Sequence, residues 1–289
     1  MALLSRPLPE ERDIVPLGSA PLPSVDELRR IVNLVKAVIF PGFFDKRHAD
    51  EKIRSYYIGV NMETLLEMLK VQIARGLLFH DSIDEDVVKA KASELALRFI
   101  DRLPELKRLL YTDVEAMFNN DPAVRNLGEV IFCYPVVQVM VHYRVAHELL
   151  LMDIPVIPRI ITELAHSQTG IDIHPGAQIG EYFSIDHGTG VVIGETCIIG
   201  NHVTLYQGVT LGAKNFSLDS QGHPMNIPRH PIIEDNVTIY SNSTVLGRIT
   251  IGRGTVIGGN VWVTTTLPPN SRIYQRKAVA QTFTDGLGI

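Results

Sequence analysis

Two short polar clusters carry the chemistry of this chain. Asp186-His187 sets an imidazole, a side chain that exchanges protons near neutral pH, directly after a carboxylate. Arg229-His230-Pro231 sets a second imidazole beside a guanidinium, whose planar fork suits a bidentate contact with a carboxylate. Together these residues offer an imidazole base, a carboxylate and an arginine for an anion. The two cysteines, Cys133 and Cys197, have no CxxC spacing and no partner base in a recognisable frame. They read as core filling rather than nucleophiles.

The elements that must position these residues change period half-way along the chain. The first half reads helical. Ser24 followed by Glu27 is a capping box before an apolar stripe at Leu28, Ile31, Val32, Val35, Val38 and Ile39, stopped by Pro41-Gly42. Asn61 is expected to cap a second helix through Leu65, Leu66, Leu69 and Ile73. A third is expected from about Asp84 to Arg102, and a fourth from Pro104 to about Phe118. Asp121-Pro122 breaks the pattern before a further helix through Val136, Val137, Met140, Val141, Val145 and Leu149.

After Gly170 the apolar residues recur every six positions: Ile173, Ile179, Ile185 and Val191, then Ile193, Ile199, Leu205 and Leu211, then Ile233 to Val263. That period fits neither a helix nor an alternating strand. It fits a solenoid with three hexapeptides per turn, the aliphatic residue filling the narrow interior. Asp172 and His187 are fifteen residues apart, close to one coil but three short of the about eighteen that stack one coil directly on the next. The ladder is interrupted twice. Val191 to Ile198 reads as eight residues in place of six, and the polar stretch from Ala213 to Arg229 leaves the frame. Extrusions of this kind form the binding face of repeat proteins.

The segments Gly170-Ile-Asp-Ile-His-Pro175, Ile185-Asp-His-Gly-Thr-Gly190, Ile193-Gly-Glu-Thr196, Gln207-Gly-Val-Thr-Leu-Gly212 and Arg229-His-Pro231, with Asn120-Asp-Pro122 upstream, resemble serine O-acetyltransferase in order and spacing. The resemblance covers roughly residues 118 to 268. It implies an α+β chain: a helical N-terminal region for oligomerisation (1–165), a left-handed parallel β-helix of hexapeptide repeats (166–268) with the extruded loop 213–229, and a tail (269–289). It implies transfer of acetyl from acetyl-CoA to the L-serine hydroxyl, the first step of cysteine biosynthesis, without a covalent acyl-enzyme and without a metal. His187 is the implied general base, Asp172 its orienting partner and His230 a second active-site histidine supplied by a neighbouring subunit. Asp121 and Asp186 match the positions that hold the serine ammonium, and Arg229 the position that binds its carboxylate. Gly212, Ala213, Ser241 and Gly259 match positions lining the pantetheine arm, with the Gly212 or Ala213 N–H as oxyanion donor. Glu195 is a candidate support.

The same resemblance implies a trimer or a dimer of trimers, feedback inhibition by cysteine, and capture of the terminal Ile289 by O-acetylserine sulfhydrylase. Two departures stand out. Leu267 to Lys277 replaces a Gly-x-Pro-Ala-Lys/Arg segment found near CoA in many hexapeptide acyltransferases, leaving Arg276 and Lys277 as cations for CoA phosphates. The loop before Arg229 is also longer than in common members. An acyltransferase with a sugar or antibiotic acceptor is the alternative, but it leaves Asp121, Asp186 and Arg229 unexplained. A zinc hydratase on the same solenoid would need a cluster of three histidines.

Composition narrows the rest. The net charge is -5 and no Lys/Arg stripe is present, so nucleic acid is not an expected partner. The N-terminus carries no basic segment followed by an apolar core, and the longest apolar run, Val130 to Val141, is broken by Tyr134, Pro135 and Gln138. With so few cysteines, a reducing cytoplasm is the expected compartment.

Overall fold

The computed structural model describes residues 21–44, 50–79, 84–215 and 217–276. Among the described residues six helices come first: α1 (Val25–Ile39), α2 (Glu51–Leu77), α3 (Glu85–Asn120), α4 (Leu127–Cys133), α5 (Pro135–Leu151) and α6 (Ile157–Thr169). Ser24 caps α1 as expected, its hydroxyl accepting from the Glu27 N–H at 3.3 Å, but the reciprocal half of the capping box does not form: the Ser24 N–H donates to the Gln72 side chain and the Glu27 carboxylate accepts from Arg30. Two helix expectations fail. Asn61 is mid-helix, because Asp50 caps α2 eleven residues upstream by accepting from the Lys52 and Ile53 N–H groups. The third and fourth helices are one helix, with Pro104 inside α3. An interior proline costs about 3 kcal/mol. Burial of Phe99, Leu103, Leu106 and Leu110 on the same stripe offsets that, at about 1.5–3 kcal/mol for each large side chain.

Gly170, with φ of 70°, ends α6 in the left-handed region, and the solenoid starts two residues later. Three parallel sheets form its sides. The first stacks β1 (Asp172–Ile173), β4 (Val192–Ile193), β7 (Thr210–Gly212), β10 (Thr244–Leu246) and β13 (Trp262–Val263). The second stacks β2 (Gln178–Ile179), β5 (Ile198–Ile199), β8 (Ile232–Ile233) and β11 (Thr250–Ile251). The third stacks β3 (Ser184–Asp186), β6 (Thr204–Tyr206), β9 (Thr238–Ile239), β12 (Val256–Ile257) and β14 (Arg272–Ile273). The six-residue period therefore gives a left-handed parallel β-helix of about five turns. Ile173, Ile185, Ile193, Leu205, Leu211, Ile239, Val245 and Ile257 fill its interior.

The register corrects the position of the first interruption. Asp186 pairs with Tyr206, an offset of twenty, whereas Val192 pairs with Thr210, an offset of eighteen. The two extra residues therefore lie between Asp186 and Val192, at the His187 corner. The step from Ile193 to Ile199 is an ordinary six. The second interruption falls where expected: β7 leads into β8 through the extruded segment, which folds back on itself by a bridge between Leu218 and Pro224.

The helical half is tied to the first coil. Arg144 on α5 makes a bidentate pair with Asp113 on α3, at 2.7 and 2.8 Å, and both side chains are only 5% exposed. Arg144 also donates to the Gly180 carbonyl at 2.9 Å, and Asp113 accepts from the Phe183 N–H at 3.3 Å. Further along α3, the Asn120 side chain donates to the Ser184 and Thr204 hydroxyls. These contacts hold the end of α3, and hence Asp121, beside β3.

Candidate active site

His187 is exposed and stands at the centre of a three-residue turn. The Gly188 N–H donates to the Asp186 carbonyl at 2.7 Å, and His187 has φ of 62°. A non-glycine residue in that turn is uncommon and strained, a condition that concentrates at functional sites. Gly188 follows with φ of 85°, and a Cβ there would lie 2.5 Å from Ile171 Cδ1. The two-residue insertion thus lifts His187 off the regular corner, and its base rests against the start of β1.

Asp121 caps the C-terminus of α3. One carboxylate oxygen accepts from the Ala123 N–H at 2.8 Å and the other from the Tyr134 hydroxyl at 2.5 Å. The Tyr134 bond, then the Ala123 N–H, holds the Asp121 carboxyl below the usual aspartate range. The same hydrogen bond pushes the Tyr134 phenol up to about 12, with nearby Glu129 and Asp186 adding negative charge. Asp186 and Asp121 also both bear on the Tyr206 phenol, which burial and Tyr240 raise. The structure therefore brings Asp121, Asp186 and His187 to one corner, between the third and first sheets. Tyr134 is a residue that sequence reasoning missed. Tyr134→Phe is expected to raise the KM for an ammonium-bearing acceptor about fivefold with little change in kcat. Steady-state kinetics with acceptor as the varied substrate reads that split.

Asp172 opens the coil that His187 closes. Among the described residues no hydrogen bond joins the two. The Asp172 carboxylate lies 3.7 Å from Arg159 Nη1 on α6, in a cluster with Glu163 and His166. The turn at 187–189 nevertheless packs on Ile171 and Gly170, the two residues before Asp172.

Arg229 and His230 sit at a different corner, between the first and second sheets. Thr196, His230 and Arg248 form one column there, each two residues before a strand position paired across coils. The Thr196 hydroxyl accepts from the Arg229 and His230 N–H groups at 2.9 and 3.1 Å and meets His230 Nδ1 at 2.9 Å. The Thr196 N–H donates to the same Nδ1 at 3.1 Å. Since a backbone N–H can only donate, Nδ1 is an acceptor and the neutral ring carries its proton on Nε2. Arg248 Nη1 donates to the Thr196 and His230 carbonyls at 2.7 and 3.0 Å and braces the column from above. Glu195, a candidate support, accepts from Arg229 Nη2 at 2.7 Å. Burial would raise the Glu195 carboxyl, but the Arg229 bond and His174 outweigh it and hold it low.

Burial, then the Arg229 charge, hold the His230 imidazole down at about 4, and burial does the same to His142 on α5. An unfolded histidine titrates near 6.5. Between about pH 4 and 6.5 the unfolded chain therefore binds protons that the folded chain refuses, so stability rises with pH through that window and is full above it. The melting temperature is expected to fall as pH drops from about 7.5 to 4.5, and His230→Asn is expected to flatten the fall. An unchanged slope in that variant would contradict the assignment.

The four residues matched to the pantetheine arm split between these corners. Ser241 and Gly259 stack beside the His187 corner, where a Cβ on Gly259 would lie 3.2 Å from the Ser241 carbonyl. Gly212 closes β7 opposite Leu246, and Ala213 follows it past the ladder at the His230 corner. Within one chain, then, His187 and His230 are not brought together: they flank opposite edges of the first sheet. Cys197 is buried, which pushes its thiol up to about 12, and Cys133 is exposed; no disulfide joins them.

Residues 230–265 match the family model described as bacterial transferase hexapeptide (six repeats). Over 276 residues, 93% of this chain and 86% of the relative, the sequence is 45% identical to a plasmid serine acetyltransferase of Synechococcus elongatus. The chain belongs to the serine acetyltransferase family. Solved structures agree. Serine acetyltransferase 1 of Entamoeba histolytica in complex with L-cysteine superposes with a TM-score of 0.74 at 35% identity, covering 84% of this chain and 86% of that one. Isoform 3 from the same organism, in complex with cysteine, gives 0.73 at 33% identity over 89% and 85%. Against this family background, Thr196, Arg248 and Tyr134 are the residues the structure adds to the candidate site. Lys277 and Ile289 lie outside the described residues, and no described helix is long and apolar enough to cross a membrane.

Proposed function

We propose that this chain transfers the acetyl group of acetyl-CoA to the hydroxyl of L-serine, giving O-acetylserine and CoA. The supporting observation is the two-residue insertion that presents His187 in a strained turn beside Asp186 and Asp121. Asp121 and Asp186 hold the serine ammonium and Arg229 its carboxylate. His187 takes the hydroxyl proton as the oxygen attacks the thioester carbonyl. The oxyanion is met by the Ala213 or Gly212 N–H, and Ala213, lying past the ladder, is the freer donor. Collapse expels the CoA thiolate, which takes the proton from His187. Asp172 is the carboxylate assigned to orient His187, and closure around substrates has to turn it from Arg159.

His187 and Arg229-His230 flank opposite edges of one sheet, so a complete site needs the His187 corner of one subunit against the His230 corner of another. A cyclic trimer makes that contact three times, and the helical halves then join two trimers. Cysteine carries the same ammonium and carboxylate as serine, so it competes for the same clamp and acts as feedback inhibitor. Ile289 is the segment offered to O-acetylserine sulfhydrylase, and the cytoplasm is the compartment. The test is thiol release from acetyl-CoA across a panel of acceptors. Release with L-serine, and not with sugars or aminoglycosides, supports this reading; release with a sugar and none with serine replaces it.

A further inference from the structure

Asp186, Tyr206 and Tyr240 form a column on the outer side of the third sheet. Asp186 pairs with Tyr206 in the register of β3 and β6, and Leu205 pairs with Ile239 in that of β6 and β9, which sets Tyr206 next to Tyr240. Ile185, Leu205 and Ile239 are buried in the solenoid interior, so the residue after each points outward. The two tyrosine rings stack, with centroids 4.7 Å apart and planes 18° from parallel. Tyr240 therefore covers one face of the Tyr206 ring, and the other face looks along the column toward Asp186. A tyrosine reaches further from the backbone than an aspartate, so the ring overhangs the carboxylate. Asp121 is close to the same ring: burial and Tyr240, then the charges of Asp186 and Asp121, push the Tyr206 phenol up. Three negative surfaces converge here, because the face of an aromatic ring carries negative charge density as the two carboxylates do. Among the described residues neither carboxylate has an ion-pair partner, and the Tyr206 hydroxyl makes no hydrogen bond. A compact cation held under the ring and against both carboxylates satisfies all three groups at once.

We infer that the Tyr206 ring is the third wall of the acceptor's ammonium site, meeting the ammonium through its π face above the Asp121–Asp186 pair. The inference rests on the acetyl-transfer reading above and deepens it. Tyr206 is then a specificity-determining residue: it favours acceptors that carry a compact ammonium over hydroxyl compounds that are neutral or anionic at that position. Tyr240 is its backing, since the stack fixes the orientation of the ring without reaching the acceptor. The phenol hydroxyl has no part in the contact, which the face of the ring makes alone.

The experiment compares wild type, Tyr206→Phe and Tyr206→Leu, with L-serine as the varied acceptor and two competitors that split its charges. Ethanolamine keeps the hydroxyl and the ammonium; 3-hydroxypropionate keeps the hydroxyl and the carboxylate. Tyr206→Leu is expected to raise the KM for L-serine and the Ki for ethanolamine about fivefold, with a smaller change in kcat. The Ki for 3-hydroxypropionate stays within about twofold, a selectivity that a merely structural role would not give. Tyr206→Phe keeps the π face and is expected to match wild type against all three compounds. Circular dichroism checks folding, and Tyr206→Met, which also lacks a π face, replaces the leucine variant if that one does not fold. Equal losses against both competitors, a phenylalanine variant as weak as the leucine one, or unchanged constants in the leucine variant would each overturn the third wall while leaving serine acetylation standing. A wild-type protein that acetylates no serine would instead remove the reading on which it rests.

Discussion

Replacing His187 by asparagine is expected to lower kcat for serine acetylation by about 10²- to 10⁴-fold, the usual contribution of a positioned general base. Asparagine is the better probe than alanine because His187 has φ of 62°, and asparagine accepts that backbone region while alanine is strained in it. The side chain is exposed, so the core is untouched and the melting temperature should move little. Retained activity in a folded variant would move the proton transfer to another group. Residual activity that regains a slope when imidazole is added to the buffer would support the base role directly, since a free base can partly replace the missing one.

The second large effect concerns stability. The Asp113–Arg144 pair is 5% exposed on both sides and connects α3, α5 and the backbone at Gly180 and Phe183. Removing one partner leaves the other charge buried without compensation, a loss of about 3–5 kcal/mol. Arg144→Ala is therefore expected to destabilise by that amount, about a fifth or more of the 5–15 kcal/mol typical of a folded domain. Replacing both partners with apolar residues of similar volume is expected to cost much less than the sum of the singles, because no orphaned charge remains. Denaturant unfolding of the two singles and the double closes that cycle. Arg144→Ala should also weaken serine binding, because the same pair fixes α3, whose C-terminus carries Asp121.

How much of this was legible in the sequence depended on how local each signal is. The hexapeptide ladder was plain because a narrow triangular interior admits one aliphatic residue per side, and Ile173, Ile185 and Leu211 repeat accordingly. The extruded loop was plain for the same reason: its residues cannot fill that interior. The two-residue insertion was misplaced because Val191 and Ile193 are both aliphatic and both fully buried, so each can hold the frame. Only the strand register shows that the slack lies at His187.

The helical half was harder to read. Pro104 looked like a helix start, but the apolar stripe from Phe99 to Leu110 runs through it, and tertiary burial outweighs a local rule. Tyr134 stands at the N-cap of α5, and its part in the site depends on how the chain between α3 and α5 folds back to bring its hydroxyl to Asp121. Thr196 and Arg248 were invisible as site residues for a similar reason. They reach His230 across thirty-four and eighteen residues of solenoid, a proximity that exists only once coils stack.

The central claim is a single acetyl-transfer site assembled from the His187 edge of one subunit and the His230 edge of the next. Mixing subunits tests it most directly. His187→Asn and His230→Asn proteins, each inactive alone, are unfolded together, refolded at equal ratio and assayed for serine-dependent thiol release. Random mixing should pair an intact His187 edge with an intact His230 edge in roughly a quarter of the interfaces, so about a quarter of wild-type activity is expected. Activity no higher than that of either parent, in mixed oligomers shown to have formed, would contradict a shared site.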